Sequence, residues 1–447
     1  MSRIVAYRRR ARPKRTAVVS LAISLASAGA VSCTGYPVTS ASPDATRTSM
    51  PASSEAPPDA PPSVVAPSPE ASGGPSIVVR PLRGRWDDAI ERAVGTTDVS
   101  VAVGMRHRIV LVHRGRDART LASTTKLLTS MAALDAFGPR HRFLTRALSA
   151  SSPVDGSLRG DVWLVGGGDP ELGGARLQEL ARAIQDAGVR EIEGGVRGDT
   201  GAFDRGWWAP GWIPGISRRY VRRTTALAFE GNAVSAPEVA AAASLTASLR
   251  ALGVTVRDGP STGRAPTGLT ELATVRSPPL ADLLALQNQG SLNFHAETLA
   301  KALGATGGDP STAGGAAATR GWVATREVVV DIRDGSGLSY EDRASAVELV
   351  TLLLLARSEP WFDPFLASLA RPGVGTLEGR LAGVDVHAKT GTLIEMPVST
   401  LAGYVRTRTG ELAAFAILSD GFAKDAAVRI EDTVVRAIAD AELQAVA

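Results

Sequence analysis

The stretch Ser123-Thr124-Thr125-Lys126-Leu127-Leu128-Thr129-Ser130-Met131-Ala132-Ala133-Leu134-Asp135-Ala136-Phe137 reads as one helix. Leu127, Leu128, Met131 and Leu134 share a face at helical spacing, and Gly138-Pro139 ends the run. Ser123 and Lys126 are three residues apart, so on a helix the lysine amine approaches the serine hydroxyl. A serine is a weak nucleophile until a base takes its proton. A lysine can be that base only where burial or neighbouring cations lower its pKa. The Ser123 amide would also lie at a helix N-terminus, where backbone N–H groups favour developing negative charge.

Upstream of this helix, residues 86–94 read as a helix, 99–103 alternate as a strand, and 109–112 make a second strand after a short break. Near the C-terminus, 384–388 is a candidate strand. Residues 399–407 and 411–418 form a hairpin turning at Thr409-Gly410, and 426–443 is an amphipathic helix. Two strands from the start and three from the end predict one antiparallel five-stranded sheet covered by the first and last helices. The domain carrying it is then discontinuous, spanning 77–145 and 276–447. Residues 146–275 form an inserted α+β module, because the texture changes there to short apolar runs broken by glycine, as in Val162-Trp163-Leu164-Val165-Gly166-Gly167-Gly168-Asp169-Pro170. No internal repeat is visible.

The chain has 447 residues, 44% hydrophobic and 21% charged, as expected of a globular protein. The formal charge of +4 is concentrated at one end. Arg3, Arg8, Arg9, Arg10, Arg12, Lys14 and Arg15 carry seven positive charges, and taking these from +4 leaves −3 for the remainder. Nucleic-acid binding loses its electrostatic basis. The basic stretch is followed by an apolar one over 17–31, short of the ~20 residues that a membrane span needs. Residues 1–33 therefore read as a secretory signal peptide. Cys33 is the only cysteine, which excludes an intrachain disulfide. Ala30-Val31-Ser32-Cys33 resembles the lipobox of bacterial lipoproteins, which implies lipidation of Cys33 and attachment to the outer face of the cytoplasmic membrane. Residues 34–76, rich in Pro, Ala and Ser, read as a flexible linker. No other long apolar run appears.

Two further motifs carry chemistry. Ser291-Leu292-Asn293 supplies a hydroxyl for proton relay and an amide able to bind both a substrate carbonyl and the lysine. Lys389-Thr390-Gly391-Thr392, on a strand edging the site, supplies Lys389 and Thr390 for a substrate carboxylate, and Gly391 lets a substrate backbone lie close. Among 49 Lys and Arg residues only five are lysine: Lys14, Lys126, Lys301, Lys389 and Lys424. Two of these five fall on motif positions in a chain that otherwise uses arginine. Arginine cannot be deprotonated and so cannot replace the base at 126.

The three motifs in this order resemble the serine penicillin-recognising enzymes. The long gap from Ser123 to Ser291, the runs Gly166-Gly167-Gly168-Asp169-Pro170 and Asp334-Gly335-Ser336-Gly337-Leu338-Ser339, and the run from Ala388 to Thr392 narrow the resemblance. They are similar to the D-alanyl-D-alanine carboxypeptidase/endopeptidase family of class C low-molecular-mass penicillin-binding proteins (peptidase family S13), over roughly residues 80 to 445. The resemblance implies an α+β fold: a penicillin-binding transpeptidase/β-lactamase-like domain, with an antiparallel five-stranded sheet and helices on both sides, carrying a large α+β insert. It implies an exported cell-envelope hydrolase that acts on peptidoglycan stem peptides ending in D-Ala-D-Ala and is inhibited by β-lactams. Ser123 would be the nucleophile and Lys126 its base. Ser291 would relay a proton to the leaving group, Asn293 would position substrate and Lys126, and Lys389 would support the electrostatics around Ser291. Thr390 would bind the terminal carboxylate, and the backbone N–H groups of Ser123 and Thr392 would form the oxyanion hole. Leu292 departs from the Asp frequent in the family at that position.

Trp207, Trp208 and Trp212 read as packing residues. The five histidines show no ligand spacing, so neither metal nor other cofactor is expected. His295 reads as a helix residue and Ser336 as a turn residue. No Gly-x-Ser-x-Gly elbow appears around Ser123, which argues against an α/β-hydrolase. Two rival readings are a β-lactamase on the same domain, which the long insert disfavours, and a non-catalytic cell-wall-binding lipoprotein, which the intact Ser123, Lys126, Asn293 and Lys389 disfavour.

Overall fold

Val99–Met105 (β1) and Arg108–His113 (β2) form a tight hairpin whose two linking residues, Arg106 and His107, both take positive φ of 46° and 64°. That twist matches the right-handed twist of the strands they join. Val386–Leu393 (β3), Val398–Arg406 (β4) and Leu412–Asp420 (β5) complete an antiparallel sheet in the order β3-β4-β5-β1-β2. The early and late segments of the described chain thus meet where β1 pairs β5, with Val101 opposite Ile417 and Val103 opposite Phe415. The computed structural model describes residues 85–215, 217–421 and 423–442. The expected signal peptide, Cys33 and the linker lie outside them. Among the described residues no helix is long and apolar enough to cross a membrane.

Side-chain alternation along the strands divides the core in two. Val101, Val103, Phe415 and Ile417 face Arg85–Val94 (α1) and Lys424–Ala439 (α6), which bury Ile90, Val94, Val434 and Ile438 against them. Ala102, Ala414, Ala416 and Leu418 face the opposite way. There they meet a helical layer made of Thr125–Phe137 (α2), Leu280–Gly290 (α3), Asn293–Thr306 (α4) and Ala346–Ala356 (α5). The small residues on this face let α5 approach closely. A Cβ on Gly104 would fall 2.7 Å from Leu354 and Val350.

The middle of the chain builds a second, mixed sheet with its own core. Its spatial order is Ser261–Thr262, Val196–Asp199, Val162–Gly166, Leu144–Ser149, Thr270–Arg276. The helices Gly174–Asp186 and Pro237–Ala251 cover it, burying Leu177, Leu180, Leu245 and Leu249. Residues 203–222 depart from the module expected over 146–275. Ala209, Trp212 and Val221 pack instead with Ala122, Leu338 and Tyr340 beside the first sheet.

Most element boundaries shift by one or two residues from the sequence reading, and three shifts bear on the site or on the last helix. The strand expected at 384–388 is β3, Val386–Leu393, which runs through the Lys-Thr-Gly motif because its backbone pairs with β4 along all eight residues. Its polar and glycine positions hide that pairing from an apolar-alternation test. The helix expected from Ser123 begins as a 3₁₀ turn, Ala122–Thr124, with the α-helix starting at Thr125. The last helix spans Lys424–Ala439 rather than 426–443.

Gly337 has φ of 78°, and a Cβ there would sit 1.8 Å from the Ala122 carbonyl oxygen. Gly337→Ala is expected to lower stability by about 3 kcal/mol through strain and clash. Gly321, inside the helix Thr312–Ala324, has open space around it. Gly321→Ala is expected to be neutral or stabilising by about 0.5 kcal/mol. Urea unfolding of both variants checks the contrast.

Candidate active site

Ser123 is held by strain and by threonines. Ala122, immediately before it, takes a left-handed φ of 46°, a conformation that costs a non-glycine residue energy and clusters at functional sites. The hydroxyls of Thr124 and Thr400 both donate to the Leu121 carbonyl, at 2.6 and 3.0 Å, tying this turn to β4. Gly391 lies against the same turn. A Cβ on it would fall 2.1 Å from Thr400 Oγ1 and 3.0 Å from the Ser123 amide nitrogen. What the glycine accommodates here is the backbone of Ser123, a closer neighbour than the substrate backbone inferred from the motif.

Lys126, the second residue of α2, is fully buried. Its Nζ donates to Ser123 Oγ at 2.9 Å, Asn293 Oδ1 at 2.7 Å and the Ser336 carbonyl at 2.6 Å. Burial brings its pKa down to about 8, against the opposing pull of Asp334, Glu297 and Asp342.

Ser291 and Asn293 come from the corner between α3 and α4. Ser291 caps α3 at φ 54°, ψ 41°, and Asn293 opens α4 after the extended Leu292. That left-handed corner turns both motif side chains into the site, while Leu292 is 38% exposed. Asn293 Nδ2 donates to the Tyr220 carbonyl at 3.0 Å, leaving its Oδ1 for Lys126. Lys389, fully buried on β3, donates to Ser291 Oγ at 2.8 Å and to the Thr390 carbonyl at 2.8 Å. Burial holds the Lys389 pKa well below its ordinary value, and the charges of Lys126 and Lys424 add to this.

The backbone of β3 has a readable polarity. Ala388 exchanges both of its backbone hydrogen bonds with Ala370, outside the sheet, at 2.8 and 3.1 Å. Backbone direction alternates along a strand, so the N–H groups of Thr390 and Thr392 also point off the β3 edge. A cavity of about 230 Å³ opens there, lined by Ser123, Asn293, Thr392, Tyr220, Tyr340 and Leu393.

From sequence, Asp334 is singled out only within the 334–339 run and with no role, and neither Glu297 nor Asp342 is singled out. Asp334 is fully buried. Its carboxylate accepts from the amides of Ser336 (3.0 Å), Gly337 (2.6 Å) and Ser339 (2.8 Å) and from Trp212 Nε1 (2.6 Å). It thereby shapes the loop whose Ser336 carbonyl meets Lys126, so Ser336 serves through its backbone. Glu297 accepts from the Gly335 amide at 3.1 Å, and burial beside Asp334 pushes its pKa up to about 8. Asp342, also buried beside Asp334, is pushed well above the usual carboxylate range and accepts from Thr125 Oγ1 at 3.0 Å. Trp212 packs, as read, but also reaches Asp334. His295 lies buried in α4 with Nε2 2.8 Å from the Glu171 carboxylate. Glycine crowding around Asp334 was the available signal for this loop.

The Ser123–Lys126 pair, the Ser-x-Asn corner and the Lys-Thr-Gly strand therefore meet around one cavity. The sequence model of the D-Ala-D-Ala carboxypeptidase 3 (S13) family matches residues 87–222 and 221–441. The chain belongs to that family. It is similar to the D-alanyl-D-alanine carboxypeptidase of Actinomadura sp. (strain R39), 28% identical over 455 residues, with 79% of this chain and 82% of the relative covered. It is 30% identical over 340 residues to carboxypeptidase DacB of Mycolicibacterium smegmatis, covering 67% of this chain and 71% of the relative. The fold matches the crystal structure of penicillin binding protein 4 (dacB) from Haemophilus influenzae with a TM-score of 0.69 at 20% identity, over 80% of this chain and all of that one. The α+β fold of this S13 chain is thus the penicillin-binding fold.

Asp334→Asn in this S13 chain is expected to cost about 3 kcal/mol, because the new NH₂ opposes donors that the carboxylate accepts. Asp331→Asn, whose carboxylate is 51% exposed and paired with Arg333, is expected to change stability by no more than about 0.5 kcal/mol. Denaturant midpoints of the two variants provide the comparison.

Proposed function

We propose that this chain is a serine D-Ala-D-Ala carboxypeptidase that cleaves peptidoglycan stem peptides through an ester on Ser123, and that β-lactams acylate the same hydroxyl. The observation that carries the reading is Lys126: a water-excluded amine 2.9 Å from Ser123 Oγ with its pKa near 8. About a tenth of the enzyme then holds a neutral lysine at pH 7.

Neutral Lys126 takes the proton from Ser123 as Oγ bonds to the carbonyl carbon of the penultimate D-alanine. The carbonyl electron pair moves onto oxygen, where the amides of Ser123 and Thr392 receive it. Collapse of this intermediate breaks the C–N bond. Ser291 passes a proton to the departing amine and is resupplied through Lys389, its 2.8 Å partner. Asn293 holds Lys126 on one side and the peptide on the other. The Thr390 hydroxyl and Lys389 receive the terminal carboxylate, whose arrival draws the depressed Lys389 pKa back up. Water then hydrolyses the ester and releases a peptide one D-alanine shorter. With a β-lactam the leaving amine stays tethered to the acyl group, and deacylation is slow.

The same site would accept a cross-linking D-Ala-X bond, giving endopeptidase action. The substrate lies outside the cytoplasmic membrane, where an export signal over 1–33 would deliver the chain. Lipidation at Cys33 would hold it at the membrane surface, with residues 34–76 as tether.

Fluorescent penicillin is expected to label the purified protein covalently, with the band lost in Ser123→Ala, and D-alanine is expected to appear from a stem pentapeptide. No label and no D-alanine from the folded protein would overturn the reading. A second test uses pH. Because Lys126 acts as a base, kcat/KM should rise with pH and level off through a midpoint of about 8. Lys126→Arg should stay inactive across that range, since its guanidinium remains protonated.

A further inference from the structure

Lysine is rare in this chain, and each described lysine has a specific partner. Lys126 and Lys389 meet at the site. Lys301, fully buried on α4, donates to Asp204 Oδ1 at 2.6 Å and so fastens residues 203–222 to that helix. Lys424, the first residue of α6, remains. Its Nζ donates to Ser399 Oγ at 2.8 Å and lies 3.5 Å from the Gly391 carbonyl oxygen. Ser399 Oγ in turn donates to Glu431 at 2.5 Å, and Glu431 accepts from Arg380 at 2.8 Å. Lys424 is thus aimed by a chain that runs from Ser399 through the buried Glu431 carboxylate to Arg380, on the face of the sheet opposite Ser123.

The Gly391 carbonyl and the Thr392 N–H are the two ends of one peptide group. The alternation set by Ala388 points the carbonyl at β4 and the N–H off the β3 edge toward the cavity. A peptide group is conjugated, so a cation at its oxygen draws electron density from nitrogen and strengthens the N–H as a donor. We propose that Lys424 is a positioning residue for acylation, fixing and polarising the Gly391–Thr392 peptide whose N–H receives the developing oxyanion. This rests on the assignment of Thr392 as an oxyanion donor. Lysine suits the place because its compact ammonium fits between Ser399 Oγ and a carbonyl, whereas a planar guanidinium distributes its donors differently.

The test compares wild type, Lys424→Met, Lys424→Gln and Lys424→Arg in acylation rate by benzylpenicillin, KM for a D-Ala-D-Ala peptide, thermal midpoint, and infrared carbonyl stretch of the acyl-enzyme formed from carbonyl-¹³C-labelled penicillin. A stronger donor lowers that stretching frequency. Removing one complete oxyanion donor costs about 100-fold or more, so loss of its polarisation should slow acylation about tenfold in Lys424→Met. The ester band should move to higher wavenumber, with KM nearly unchanged, and Lys424→Arg should recover part of both effects. Lys424→Gln, which can still bond Ser399, replaces Lys424→Met if the latter does not fold. An unchanged band in the folded neutral variant overturns the role, whether acylation is unchanged or slowed, because slowing with an unchanged band is a purely structural effect. If wild type forms no Ser123 adduct, the proposed function fails and this role with it. If wild type forms the adduct and the neutral variant matches it, only the role of Lys424 fails.

Discussion

Lys126 sits where water cannot reach it, and an ammonium group in that position must be surrounded by acceptors or give up its proton. Both remedies are present. Ser123, Asn293 and the Ser336 carbonyl accept from it directly. Asp334, Glu297 and Asp342 lie close enough to oppose its loss of charge. Too many carboxylates would keep the lysine protonated, and too few would leave the buried site uncompensated. Burial beside Asp334 pushes Glu297 itself up to about 8.

Satisfying that one amine requires contributions from distant parts of the chain. Ser123 and Lys126 come from the turn and helix after the first hairpin, Asn293 from the α3–α4 corner, and Ser336 from the loop shaped by Asp334. The sheet edge brings in Lys389 and the outward-facing amide of Thr392. The sheet edge and the Ser336 loop could not be moved apart from the Ala122–Ser123 turn, because Gly391 and Gly337 touch it too closely to admit a Cβ. The close packing that makes the site rigid also explains its two left-handed non-glycine residues, Ala122 and Ser291. The surrounding contacts hold both conformations in place.

Side chains acting at short sequence range were legible in advance. Ser123 and Lys126 announce themselves by helical spacing, and the scarcity of lysine draws attention to Lys389. The five-stranded sheet followed from alternation in β1, the apolar run of β2 and the hairpin of β4 and β5 turning at Thr409-Gly410. Strand β3 was read only at its apolar end, because Thr390, Gly391 and Thr392 mask a strand whose pairing is made by backbone. The carboxylates behind Lys126 were hidden for another reason. Asp334, Asp342 and Glu297 look like ordinary polar residues until tertiary packing excludes water from them. Nor does local sequence signal that the Tyr220 backbone carbonyl meets Asn293.

The Asn293–Tyr220 contact and the Trp212–Asp334 contact both reach the site from residues 203–222, in the middle of the inserted segment. The insertion is therefore not a detachable cassette. Trimming it back to the hairpin-and-helix scaffold would strip one amide of its acceptor and one carboxylate of its indole. A minimal version of this fold would need replacement partners for both, so gain or loss of the insertion would have to be accompanied by repair at the Ser123–Asn293 corner.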